Sequence, residues 1–243
     1  MLTDTQDATP AVVFLCDVDN TLLDNDRFRD DLGDELERLF GAAARDRYWT
    51  IYDQRREELG YADYLGTLEC FRTGLDNDPQ LLSMSGWLLD YPFADRLYPQ
   101  ALETVAHLQS LGPTALLSDG DIVFQPRKIH RSGLWQALGG HVMVYLHKER
   151  MLVAMQQRYP AAHYVMVDDK PHLLARMKQH MGSRLTTVFV RQGHYAENAA
   201  GDTIDPAPDI TIACIGDLRG RKLGSFLPTG AVISLPSTSL PSG

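Results

Sequence analysis

No run of about 18 apolar residues occurs in this 243-residue chain, which excludes a conventional membrane-spanning helix. Cysteine is scarce. Cys16, Cys70 and Cys214 are scattered and odd in number, which argues against a disulfide framework and fits free thiols in a reducing compartment. Positive charge is short as well. The 23 Lys and Arg face 32 Asp and Glu, a formal net charge of -9. So acidic a chain is a poor partner for a nucleic-acid backbone, and an anionic ligand would need positive charge placed locally. Residues 1–10 offer neither the basic start nor the apolar stretch of a secretory signal, so a cytoplasmic protein is expected. No internal repeat is visible. What the chain has is length for a full α/β core plus a smaller module, and 44% apolar residues to fill it.

The most informative stretch begins with the apolar run 11–16, which predicts a buried strand. It ends at Asp17 and Asp19, followed by Asn20 and Thr21. In open α/β sheets, ligands bind beyond the carboxyl ends of the strands. Two carboxylates this close repel each other unless a cation lies between them, and a hard cation such as Mg²⁺ takes oxygen ligands. An ordinary acidic turn has the same letters, so the remainder of the chain must decide. Cys16 adjoins Asp17 but lies inside the apolar run, which makes it a packing residue rather than a nucleophile.

Helical spacing follows. Phe28, Leu32, Leu36, Leu39 and Phe40 mark one face, and Gly41 stops it. Residues 45–59 predict a second helix ended by Gly60, and residues 61–72 a third closed by Gly74. The turn 76–79 opens a fourth, running to about Leu89. Strands then alternate with helices. Strands are predicted at 114–117, 141–146, 163–167, 185–190 and 209–214. Helices are predicted around Leu102, Val105 and Leu108, after Pro126, over 149–159, and from Pro171 with Leu173, Leu174, Met177 and Met181 inward. This rhythm predicts an α/β fold, a doubly wound, mostly parallel sheet with helices on both faces. The expected organisation is a discontinuous α/β core over 1–23 and 96–221. An all-helical unit over 24–95 interrupts it, and a Gly-, Ser- and Pro-rich irregular tail over 222–243 follows.

Three more strand ends carry polar groups. The strand 114–117 runs into Ser118-Asp119-Gly120, where a hydroxyl and backbone amides could hold phosphate oxygens, although a plain turn reads the same. The strand 141–146 leads to Lys148, a cation at a helix start, where the dipole favours anions unless one is bound nearby. The strand 163–167 stops at Asp168 and Asp169, which could complete the oxygen coordination begun by Asp17 and Asp19, or simply satisfy the helix that follows.

In order and placement, these four strand ends resemble the four motifs of the haloacid dehalogenase (HAD) superfamily, over the whole core from Ala11 to Cys214. The helical unit after the first motif resembles that superfamily's cap. The resemblance implies that Asp17 is a nucleophile forming an aspartyl-phosphate, and that Asp19 is the acid for the leaving oxygen and then the base for water. It implies that Ser118, Asp119, Gly120 and Lys148 hold the phosphoryl group. It also implies Mg²⁺ on Asp17, the Asp19 carbonyl and Asp168, with Asp169 as an alternative ligand. Members that cleave carbon–halogen bonds lack an acid where Asp19 stands. The chain departs mildly from the pattern, since Lys148 is not followed by proline and Asp119 and Asp121 make the second motif unusually acidic. Tyr48, Trp49, Tyr52, Arg55, Arg56, Tyr61 and Tyr64 could form a substrate-facing surface, though each alone is better explained as packing. His194 and Tyr195 could rim the site, with a surface loop the simpler account. The expectation is a Mg²⁺-dependent phosphatase for a small phosphorylated metabolite, with neither nucleic acid nor membrane as partner. A phosphomutase or dehalogenase of the same fold, or a non-catalytic binding protein, is the alternative.

Overall fold

The computed structural model describes residues 10–75 and 78–228; residues 1–9, part of the 76–79 turn and the end of the tail lie outside them. The strands are β1 Val12–Cys16, β2 Thr114–Asp119, β3 Val142–Tyr145, β4 His163–Asp168, β5 Leu185–Val190 and β6 Ile210–Ile212. They form one six-stranded sheet in the order β3-β2-β1-β4-β5-β6. Every pairing is parallel. The chain winds outward from β1 to β3, then returns to place β4 on the other side of β1. That reversal opens a crevice at the carboxyl ends of β1 and β4.

Between β1 and β2 come α1 Asn25–Phe40, α2 Ala42–Leu59, α3 Tyr64–Phe71 and α4 Gln80–Asp90. Helix α1 starts where the Asp24 side chain accepts from the Arg27 N–H at 2.9 Å, and it buries Phe28, Leu32 and Leu36. The two connections to this helical insert run side by side. Leu23 forms an antiparallel bridge with Leu97, the Asp24 N–H donates to the Arg96 carbonyl at 2.7 Å, and the Tyr98 N–H donates to Leu22 at 2.9 Å.

The later helices are α5 Ala101–Leu111, α6 Phe124–Ser132, α7 Leu134–Ala137, α8 Leu152–Arg158, α9 Pro171–Met181 and α10 Gly193–Asn198. Helix α6 starts before Pro126, because Asp121 accepts from the N–H groups of Val123 at 2.8 Å and Phe124 at 2.7 Å. The helix expected over 149–159 is two pieces, a 3-10 turn over Lys148–Arg150 and then α8. Lys148 is tied at both ends, its N–H to Asp119 and its ammonium to Asp17, and the chain completes that turn before a helix can propagate. The last strand is shorter than the expected 209–214, because the Cys214 N–H turns to the Asp217 side chain.

One face of β1 presents Val12, Phe14 and Cys16 to a hydrophobic cluster that runs without a break into Phe28, Tyr48, Tyr64 and Leu88 of the insert. The other face presents Val13 and Leu15 to Leu174 and Met177 of α9. Phe226 closes the first cluster, edge-on to Phe14 with ring centroids 5.2 Å apart. Among the described residues no helix is long and apolar enough to cross a membrane.

Candidate active site

The parallel sheet brings the polar strand ends to one edge. Lys148, fully buried, is the hub. Its Nζ lies 2.5 Å from Asp17 Oδ1, 2.6 Å from Asp168 Oδ2 and 3.2 Å from the Leu117 carbonyl. Burial works against its charge, but the carboxylates of Asp168 and Asp17 outweigh it and hold its pKa well above the ordinary value. Asp17, Asp168 and Asp169 are buried too. Burial pushes the Asp17 carboxyl up to about 7, with Lys148 pulling down and Asp168 pushing up. Burial and Asp168 push Asp169 well above the carboxylate range.

One oxygen from each of Asp17, Asp168 and Asp169 lies within 4.8 Å of the others. Asp17 Oδ2 and both oxygens of Asp169 are buried with no hydrogen-bond donor. Asp168 Oδ2 is likewise buried without a hydrogen bond, although Lys148 Nζ lies 2.6 Å away, while Oδ1 accepts from the Lys170 N–H at 2.9 Å. Orphaned buried carboxylate oxygens are costly unless a cation satisfies them, and an all-oxygen set of this kind suits a hard divalent ion.

Asp19 stands apart from that cluster. Its Oδ1 accepts from Lys128 Nζ at 2.8 Å and its Oδ2 from Gln125 Nε2 at 3.2 Å, and its side chain keeps 26% exposure. Ser118 is buried, and its Oγ accepts from the same Gln125 amide at 2.9 Å. Asp119 lines the cavity over the site, yet its Oδ1 is engaged by the Lys148 N–H at 2.7 Å, so it positions the lysine. The expected use of the Gly120 amide is not seen, for that N–H donates to the Tyr145 carbonyl at 2.9 Å across the sheet edge.

Three site residues escaped the sequence reading. Gln125 and Lys128 come from α6, and Asn25 from the start of α1. Lys128 is 1% exposed, donates to both Asp19 and Asn25 at 2.8 Å, and lies 5.7–5.9 Å from the ring centres of Phe28, Tyr64, Phe93 and Phe124. A signal existed. Gln125, Lys128 and Ser132 share the buried stripe of α6 with Phe124 and Ile129, and a polar residue on an apolar stripe needs a partner.

A cavity of about 110 Å³ opens over Asp19 and Asp119. Of the aromatic and basic set in the insert, Tyr52, Arg56, Tyr61 and Tyr64 line it; Tyr48, Trp49 and Arg55 do not. Tyr48 is buried with its hydroxyl on the Tyr64 carbonyl at 3.1 Å, and Arg55 pairs with Asp63. His194 and Tyr195, expected in a surface loop, belong to α10 and also line the cavity. Asp26 draws His194 in, taking its backbone N–H at 2.7 Å and its ring at 2.5 Å. Arg56 donates to the Tyr195 hydroxyl.

No family model matches the sequence, and no curated protein does. Among solved structures, the chain is similar to a haloacid dehalogenase-like hydrolase from Burkholderia xenovorans. The two are 53% identical over 90% of this chain and 100% of the other, with a TM-score of 0.83. It also shares its fold with a magnesium-bound HAD-hydrolase of Bacillus subtilis, at 15% identity over 86% and 97% of the two chains and a TM-score of 0.57. A 2-haloacid dehalogenase from Pseudomonas syringae matches at 15% identity over 86% and 96%, with a TM-score of 0.59.

Proposed function

The chain belongs to the haloacid dehalogenase-like hydrolases, and from that premise we propose that it hydrolyses a small phosphate monoester through an aspartyl-phosphate on Asp17. The observation that carries the proposal is Asp19, a carboxyl group fixed by Lys128 and Gln125 at the cavity floor. A phosphate ester needs a proton for its departing oxygen; a departing halide needs none.

The acidic cluster fits Mg²⁺, since Asp17 Oδ2 and both Asp169 oxygens are buried and without donors. Asp17, Asp169 and the Asp19 carbonyl would hold the ion, with Asp168 beside them. Asp169 offers two buried oxygens without a hydrogen bond, whereas Asp168 offers Oδ2 alone, and that oxygen faces the Lys148 ammonium. When bound, Mg²⁺ supplies positive charge that offsets the nucleophile and the phosphoryl oxygens.

In the first half-reaction an Asp17 oxygen attacks phosphorus, the bond from phosphorus to the ester oxygen breaks, and Asp19 delivers a proton to that oxygen. Lys148 keeps the Asp17 carboxylate oriented, and the Ser118 hydroxyl, held by Gln125, would donate to a phosphoryl oxygen. In the second, Asp19 takes a proton from water, the water oxygen bonds to phosphorus, and Asp17 is released. The helical insert serves as the cap over this site and sets which ester enters.

Turnover of nitrophenyl phosphate tests the assignment. Activity should require Mg²⁺, vanish with EDTA, and fall to background in Asp17→Asn. A panel of phosphorylated metabolites then identifies the ester. Halide release from a 2-haloacid, with no phosphate released from any ester, would overturn the proposal in favour of a dehalogenase.

A further inference from the structure

Resting on the phosphatase reading, we propose that the preferred ester carries a second anionic group, a carboxylate or a second phosphate, held by Arg29 and Arg56 where they line the cavity bordered by Asp19. Arg29 on α1 and Arg56 on α2 both line the cavity that Asp19 and Asp119 border, and both are half-buried. They also line a wider hollow outside it, together with Asp26, Asp30 and His194, so they stand at the mouth; of its two carboxylates, Asp26 is engaged by His194.

Arg27, Arg38, Arg45 and Arg55, on the same two helices, each pair with a carboxylate. Among the described residues, Arg29 and Arg56 have none within ion-pair distance. Among the described residues Arg47 of α2 also has no ion pair, and it donates to the Thr73 carbonyl at 2.7 Å. The hydrogen bond made by the Arg29 guanidinium runs from Nη1 to the Tyr52 hydroxyl at 3.3 Å, and that of Arg56 goes to the Tyr195 hydroxyl. Each guanidinium has five N–H donors, so most of its capacity is free. Asp53 acts on Arg29 from beyond contact. Burial works against the Arg29 cation and its tyrosine neighbours and Asp53 outweigh it, but among the described residues neither arginine has a carboxylate in direct contact, the place an anionic ligand would take.

The geometry is set in advance. The Arg29 guanidinium lies 4.8 Å from the Trp49 ring centre and 5.0 Å from that of Tyr52, and Arg56 lies 5.8 Å from that of Tyr195. Rings at these distances stabilise a cation and limit its directions. A planar guanidinium offers paired N–H groups that match the oxygens of a carboxylate or phosphate. The cavity, about 110 Å³, admits a molecule of only a few carbons. A phosphate ester with a neutral far end would leave both arginines without an anionic partner.

The test compares kcat/KM for 3-phosphoglycerate, glycerol 3-phosphate and propane-1,3-diol bisphosphate. The first two differ only by carboxylate against hydroxymethyl. The wild type should favour one of the two dianionic-ended esters at least tenfold over glycerol 3-phosphate, and which one it favours names the second anion. In Arg29→Gln and Arg56→Gln the preference should shrink toward one, mainly through KM; Arg29→Lys, which keeps charge but not the fork, should restore part of it. Equal kcat/KM for all three esters in the wild type, or a preference untouched in both Gln variants, would overturn the proposal while leaving the phosphatase intact. A binding measurement separates the two failures. With Mg²⁺ present, phosphonoacetate should raise the melting temperature more than ethylphosphonate, and the difference should be lost in the Gln variants. If that difference holds while no ester is hydrolysed, the anion subsite stands and the phosphatase reading falls.

Discussion

Burying an ammonium group is expensive, and the surroundings of Lys128 indicate what offsets the cost. Its three N–H groups meet Asp19, Asn25 and a wall of aromatic faces, so the charge is satisfied without water. The same contacts aim Asp19. If Asp19 is the acid for the leaving oxygen, its direction matters most when that oxygen is a poor leaving group. Asp19→Asn should then lose about 10²–10⁴-fold in the first step with alkyl phosphates, and much less with nitrophenyl phosphate. Lys128→Met keeps the acid but removes its charged hydrogen bond, together with the one to Asn25. Such bonds contribute about 1.5–3 kcal/mol, so the alkyl esters should lose roughly tenfold or more and the aryl ester less. Rapid-mixing measurements of phenolate and phosphate release read both. Equal losses on alkyl and aryl esters in Lys128→Met would make this lysine a packing residue and nothing more.

At the scale of elements, the strand ends were legible because each apolar run stops at a chemically distinctive group, at Asp17, Ser118, Lys148 and Asp168. Parallel strands in one sheet deliver those ends to one edge, so local pattern was sufficient. Helix α6 was harder to read. Lys128 on its apolar stripe signals that a partner is needed, but no local pattern reports that the partner is Asp19, 109 residues earlier in the chain. Asp119 shows the opposite limit. Its position in the motif was plain, but its bond to the Lys148 N–H depends on how β2 and β3 are paired. The same holds for α10, which reads as loop in isolation and is drawn to the site by Asp26 and Asn20. Gly193 opens that helix at φ +70°, and a Cβ there would lie 2.5 Å from Asn20. Asn20 is itself in the left-handed region, at φ 59°, so it has little room to yield. Gly193→Ala should therefore destabilise the protein by roughly 1–3 kcal/mol and lower the melting temperature by several degrees. A melting curve unchanged by this substitution would show that α10 adjusts freely.

The whole molecule carries a net charge of -9 and places three buried aspartates side by side at the edge of a sheet with a hydrophobic cluster on each face. Without a cation, the fold must hold protons there instead. Asp17 has an ordinary value of 3.8 when unfolded and about 7 in the metal-free folded state, and Asp169 shifts in the same direction. Between those values the folded chain binds more protons than the unfolded chain, so stability falls as pH rises. The contribution is fully present below 3.8 and is lost as pH climbs through about 7. The slope is about 1.4 kcal/mol per pH unit for each proton held. A bound divalent cation takes the place of those protons and removes the slope. The melting temperature in EDTA should therefore decline from pH 5 to pH 8, the curve in Mg²⁺ should be flatter, and the gap between them should widen with pH. Asp169→Asn removes one repelling charge and one ligand together. It should be more stable than the wild type in EDTA at pH 8, yet gain less from Mg²⁺. A gap that stays constant across the pH range would mean that the ion binds elsewhere, and that the buried triad is held together by Lys148 and protons alone.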